Sequence, residues 1–348
     1  MEKGKRKKIL YYIYLLLIFA PCLEIALRIL QYEPYRQEEF LIQASPTQCL
    51  IPHPTLGFAL NPGSFSVQIN QAKPYTVTHG PDSLRVTHAS SLADSLEKIF
   101  LLGCSYTYGM GVDDTESFPY LLQEAFPKYM IKNFGVPGFG NVQSYLQLES
   151  EILKGNIPKL VILNLVDFHL ERNVLTPDYR KNLHMGFARS SEEIKDKMKP
   201  GRIPFILSSE EELILGWESW DSVYQNWRGR ESLASVNLFQ SIADRWEREA
   251  LDPTTQSLQL FEAFQALCEK HEIIFCISNL RANKTSEELL EAISELGIDT
   301  LDMGLDLLST DFSSLPEDSH PNTSAHRHYF KKISVYLQKI LPKTDLEG

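Results

Sequence analysis

Three side chains of this sequence have the types and surroundings that nucleophilic catalysis needs. Ser105 follows IFLLG (99–103), an apolar run that reads as a buried strand, and a helix is expected at about 117–125. The carboxyl end of a strand is where open α/β sheets place their ligands. A serine there has backbone N–H groups nearby that can hold an oxyanion. Alone, a Gly-Ser turn is also what a helix cap looks like, and Thr107 stands where the nucleophile elbow of α/β-hydrolases has its second glycine. Far along the chain, in LPEDSHPNTSAHRHYF (315–330), Asp318 and His320 flank one residue in a polar loop before the last helix. A serine nucleophile needs a base to take its proton, and the base needs a carboxylate to hold its tautomer. His326 and His328, on the same stretch, read as ordinary helix surface. In NFGVPGFGN (133–141), Gly138 and Gly140 permit a tight turn whose N–H groups face a ligand, or a simple turn.

These residues need a scaffold, and the hydrophobic pattern supplies one. Strands are expected at 98–103, 130–135, 160–166 and 273–279, with helices at about 117–125, 142–153, 258–270, 285–296 and 324–341. LVILNLV (160–166) is an apolar run broken only by Asn164, as expected of a strand covered on both faces. Strands alternating with helices mean an α/β domain with a mainly parallel sheet. Residues 31–95 carry seven prolines and read as an irregular, strand-rich extension, with two short strands around a Gly-Pro turn in TVTHGPDSLRVT (76–87). Residues 174–257 interrupt the rhythm and hold all four tryptophans. Trp217, Trp220, Tyr224 and Trp227 recur at helical spacing, which predicts a helix that either packs on the domain or walls the site.

GCSYTYG (103–109), NFGVPGFG (133–140) and DSHPN (318–322) resemble, in order, the first, second and last blocks of the SGNH, or GDSL-like, hydrolases. The resemblance covers about 96–342, with 174–257 as an elaboration. It implies a three-layer α/β/α, flavodoxin-like fold. It also implies ester chemistry with Ser105 as nucleophile, His320 as base and Asp318 as its carboxylate, and an oxyanion hole from the N–H groups of Ser105 and Gly138. Cys104 replaces the usual aspartate beside the serine, outside the proton relay. The family's third block, Gly-x-Asn-Asp, is replaced by NLVDFHLERN (164–173). His169 is the candidate third donor there, with Asn164 and Asn173 behind it, and Glu317 is the rival to Asp318 as the acid.

The N-terminus is a separate object. MEKGKRKK carries five bases and one acid, so the remainder holds 29 bases against 44 acids, a net charge of −15. An acidic body argues against a nucleic-acid partner, which demands a basic face. Residues 1–8 read as a cytoplasmic basic tip and 9–30 as a transmembrane signal-anchor helix that leaves the body outside. A cleaved signal peptide shares this pattern, but no small-x-small site follows, and Pro21 before Cys22 speaks against a lipoprotein box. The five cysteines have no zinc spacing. Cys268 and Cys276 would pair only in an exported body, and small buried thiols are the plainer reading. No metal or organic cofactor is indicated. The expected substrate is an ester-bearing small molecule, lipid or polysaccharide of the cell envelope. An envelope glycan O-acetyltransferase and a catalytically degenerate binding scaffold are the alternatives.

Overall fold

The structure of the protein is a computed structural model that describes residues 2–36, 41–88, 96–188, 190–207 and 212–342. Two compact units result, one of Met1–Glu39 with Tyr224–Leu251, the other of Phe40–Val223 with Asp252–Gly348.

The larger unit is built on five strands: β1 (Glu97–Leu102), β2 (Tyr129–Asn133), β3 (Leu160–Leu165), β4 (Ile274–Arg281) and β5 (Asp299–Leu305). All pair in parallel, in the order β5-β4-β3-β1-β2. This is the doubly wound order of flavodoxin-like sheets, which reverses between β1 and β3 and opens a crevice there. The strand residues alternate between two covered faces. Ile99 and Leu101 point into a cluster with Phe118, Leu122, Tyr329 and Ile333, from helices Phe118–Ala125 and Thr323–Ile340. On the opposite face Phe264 of helix Pro253–Lys270 stacks on Phe275 and meets Tyr145 of helix Asn141–Leu153 edge-on. The layers are therefore α/β/α, as the pattern predicted. The pattern did not mark β5, whose sequence DTLDMGL buries only Met303 and Leu305.

The extension folds as a three-stranded antiparallel sheet of Ile42–Ser45, Gly63–Ile69 and Tyr75–His79, plus a hairpin of Leu50–His53 and Gly57–Leu60. Its upper limit at 95 falls on residues 89–95, outside those described. Of the two strands read around the Gly-Pro turn, only Tyr75–His79 forms. The second is reduced to Arg85, which bridges both His79 and Asn133. Arg85 is fully buried. Its guanidinium donates to Asp114 and to the carbonyls of Tyr108, Gly109 and Val112, and so fixes the chain just after Ser105.

The aromatic helix predicted over 217–227 is not there. Trp217 lies in a hairpin strand, Ile214–Ser219, paired with Arg202–Leu207, and Trp220 follows in a turn. The spacing of 3, 4 and 3 residues came from a hairpin, a turn and irregular chain in succession. The insertion also divides: residues up to Val223 belong with the larger unit, and Tyr224–Leu251 clusters with the N-terminal segment.

In the smaller unit, helix Glu2–Ile29 occupies the place expected for the anchor. Among the described residues, no helix is long and apolar enough to cross a membrane. The charge-free run Ile9–Leu23 is 15 residues, about 22 Å at 1.5 Å per residue. Beyond it, the Glu24 carboxylate accepts N–H bonds from Ala234 and Ser235, capping helix Ala234–Ala250.

Candidate active site

β1 ends in Gly103, and the chain turns at once into the four-residue helix Ser105–Tyr108. Gly103 has φ +153°, and a Cβ there would stand 2.2 Å from Thr107 Oγ1 and 3.0 Å from the Asn164 carbonyl. Only glycine fits so sharp a turn. The turn sets Ser105 at the carboxyl end of β1, beside the point where the strand order reverses.

The last block approaches from a short antiparallel pair, Ser313–Ser314 with Asp318–Pro321. In an extended segment residues i and i+2 share a face, so the single-residue spacing brings the two side chains of Asp318 and His320 to one side. His320 Nδ1 lies 2.6 Å from Asp318 Oδ1, which also accepts the His320 N–H at 3.1 Å. His320 Nε2 lies 3.0 Å from Ser105 Oγ. Asp318 is 2 % exposed and Ser105 5 %, and the Tyr106 ring meets His320 edge-on at 5.5 Å. Glu317, the rival acid, accepts the Asn70 side-chain amide at its backbone carbonyl, while Asp318 holds the histidine. Cys104 Sγ stands 4.0 Å from Ser105 Oγ, outside this line of contacts.

The second block forms the opposite wall. Gly138 has φ +90°. The carbonyls of Gly138 and Phe139 are taken by the Tyr179 hydroxyl and by Arg172 Nη1 at 2.8 Å. The N–H groups of Gly138 and Ser105 have no hydrogen-bond partner among the described residues. The sequence did not single out Tyr179 or Arg172, because neither stands next to the block it fastens.

The third-block residues divide by role. Asn164 is spent beneath the site, donating to the Leu102 carbonyl and accepting from Ser278. Asn173 accepts from the Asn141 N–H at 2.7 Å and donates to Asn141 Oδ1 and Ser257 Oγ, tying this loop to the second block. His169 is fully buried. Its Nδ1 accepts the Val166 N–H at 3.4 Å and faces the Asn141 amide. That leaves the ring proton on Nε2, which has no partner among the described residues. Burial, with Arg172 nearby, holds this ring well below the usual histidine pKa, so it is neutral.

His326 is also corrected. It is fully buried, not on the surface; its Nδ1 accepts the Phe118 N–H at 3.2 Å, and burial pushes its pKa down to about 3. Cys268 and Cys276 are free buried thiols, each pushed up to about 12 by burial. Among the described residues no group of three or more His, Cys, Asp or Glu side chains is arranged to hold a metal.

No protein-family model matches the chain, and no curated protein matches it either. Among solved structures it overlays on several, some of them named as lipolytic proteins of the G-D-S-L family or as esterases. They include TesA, at 11% identity and a TM-score of 0.38, covering 70% of this chain and 100% of that one. A member of the lipolytic G-D-S-L family from Veillonella parvula overlays at 11% identity and a TM-score of 0.35, covering 71% and 99%. An acetyl xylan esterase from Butyrivibrio proteoclasticus overlays at 11% and 0.36, covering 75% and 67%. At these scores nothing about activity follows from the overlays, and what the site can do follows from its own distances.

Proposed function

We propose that this protein is a serine ester hydrolase that works through an acyl-enzyme on Ser105. The observation that carries this is the continuous line of contacts from Ser105 Oγ through the His320 ring to Asp318, at 3.0 and 2.6 Å. His320 Nε2 accepts the Oγ proton as Oγ attacks the ester carbonyl, and Asp318 stabilises the imidazolium that forms. The carbonyl π electrons move onto oxygen, which the Ser105 and Gly138 N–H groups hold, with His169 Nε2–H as the third donor. Collapse breaks the ester C–O bond. His320 returns its proton to the departing alcohol, and water then repeats the sequence on the acyl-serine.

The acid at the far end of the relay is Asp318. The case for His169 is that its Nε2–H is a spare, buried, neutral donor on the loop that stands in place of the family's asparagine. The body is proposed to work at a membrane. The helix Glu2–Ile29 exposes Leu10, Tyr11, Tyr12, Ile18 and Phe19 behind five bases, which supports a tether to an anionic surface.

The test is covalent labelling. A fluorophosphonate probe should label the wild-type protein and leave Ser105→Ala unlabelled. The His320→Ala variant should lose nearly as much ester hydrolysis as Ser105→Ala, because the two groups act as a unit. Full esterase activity in Ser105→Ala, measured with p-nitrophenyl esters, would overturn the assignment.

A further inference from the structure

A cavity of about 700 Å³ opens beside the nucleophile's turn. Ligand pockets span about 300–1,000 Å³, so this one has room for a sizeable group. Its walls come from pieces that the catalytic blocks do not explain. The extension contributes Phe58, Leu60 and Val67, and helix Pro177–Ala188 contributes Leu183, Gly186 and Phe187. Trp220 closes one side, stacked on Phe187 at 5.5 Å and tilted against Phe58 at 5.9 Å.

Two further walls belong to the site itself. Tyr108 is the last residue of the helix that begins with Ser105, and Met110 follows it. Pro137 and Gly138 are the second-block turn whose N–H faces the proposed oxyanion. The cavity and the proposed oxyanion site thus share Gly138.

The polar groups decide what the group is. His79 is the ionisable ring in the wall, and both its nitrogens are taken, Nδ1 by the Asn61 carbonyl at 2.7 Å and Nε2 by the Tyr108 hydroxyl at 2.8 Å. Gln43, Thr47 and Asn182 are exposed and so belong to the mouth, while Gln48 and Ser190 are half-buried and Tyr75 is buried among apolar walls. With so few polar groups inside, a sugar would leave most of its hydroxyls unpaired, at a cost that a hydrocarbon chain does not incur.

We infer that this cavity receives the acyl chain of a medium- to long-chain ester, which makes the protein a lipid-type acyl hydrolase and not a deacetylase of glycans. The inference rests on the serine-hydrolase reading above, and two measurements separate the failure of one from the failure of the other.

The first is kinetic. Across p-nitrophenyl esters from acetate to octanoate, kcat/KM of the wild-type protein should rise, up to about fourfold per added methylene and at least about 10²-fold overall. Gly186→Trp fills the cavity from a position where a Cβ meets nothing within 4 Å, and should cut the octanoate-to-acetate ratio by about tenfold or more. Ala44→Trp, on a different element, should do the same. The second measurement needs no chemistry. On Ser105→Ala, a fluorescent fatty acid should bind and be displaced by decanoate but not by acetate, and Gly186→Trp should weaken that binding about tenfold. Decanoate binding in a protein that cleaves no ester would uphold the cavity and sink the hydrolase reading. Hydrolysis at Ser105 with a flat chain-length profile and no decanoate binding would do the reverse. A ratio unchanged in both tryptophan variants would also overturn the acyl-chain assignment.

Discussion

The two flanks of the site solve the same positioning problem differently. On the last-block side, two residues of a four-residue strand point the same way, and each reaches its partner directly: Asp318 to His320, His320 to Ser105. On the third-block side, the polar groups are largely turned inward, holding the Asn141 N–H, the Leu102 carbonyl and Ser257. Only the His169 Nε2–H is left without a described partner. The lesson is that a relay needs side chains at a fixed mutual register, which one short strand supplies. An oxyanion hole needs backbone held in place, and that takes a network of bonds beneath the backbone.

The relay flank is the more fragile chemically. Asp318→Asn keeps the shape but offers His320 Nδ1–H a neutral acceptor or the wrong tautomer, and should lower kcat by about 10³–10⁴-fold. Glu317→Gln, next door, should stay within about twofold. Equal losses in the two variants, measured as octanoyl ester hydrolysis, would return the acid's role to Glu317.

The other flank should separate rate from stability. His169→Ala removes the spare donor and should lower kcat by about 10²–10³-fold, with KM little changed. Asn173→Ala removes bonds that fasten the second block and should cost about 1–3 kcal/mol of stability, read by urea unfolding. The folded fraction should keep its rate within about tenfold. If His169→Ala loses stability and keeps its rate, His169 fastens the loop and does not meet the oxyanion.

The most gradual effect expected is in pH. His326 is neutral in the fold, with a pKa of about 3, and takes up a proton when unfolded at about 6.5. Between these values the unfolded state binds the extra proton. Stability is therefore complete above about pH 6.5 and falls as pH drops toward 3, by up to about 1.4 kcal/mol per pH unit. His169, whose pKa is also lowered, adds in the same direction. His326→Gln should flatten the slope of unfolding free energy against pH, and an unchanged slope would place the buried proton elsewhere.

How much of this was legible in sequence follows from range. β1 and β3 announce themselves because Ile99–Leu102 and Leu160–Leu165 are buried on both faces, so every residue but Asn164 is apolar. β5 does not, because an edge strand with Asp299, Thr300 and Asp302 has neither full apolarity nor clean alternation. Ser105, Asp318 and His320 were readable because each sits in a short motif whose local geometry does the aiming. Arg85 was not: its carbonyl partners lie 23 to 27 residues onward, and no pattern in the sequence connects an arginine to a carbonyl. The tryptophans misled because a period near 3.6 arises by chance when only four aromatic positions are counted. Trp220 nonetheless lines the cavity, as the wall alternative for that segment expected.

Ser105 and His320 stand 215 residues apart in the chain. Proteins are made from the N-terminus, and domains fold as their chains emerge. The nucleophile, the second block and the walls of the cavity are therefore synthesised well before the base that activates them. Until the segment that carries His320 arrives, the serine has no proton acceptor at hand and the growing chain is chemically idle. Competence comes in one late event, the docking of strand Asp318–Pro321 and helix Thr323–Ile340.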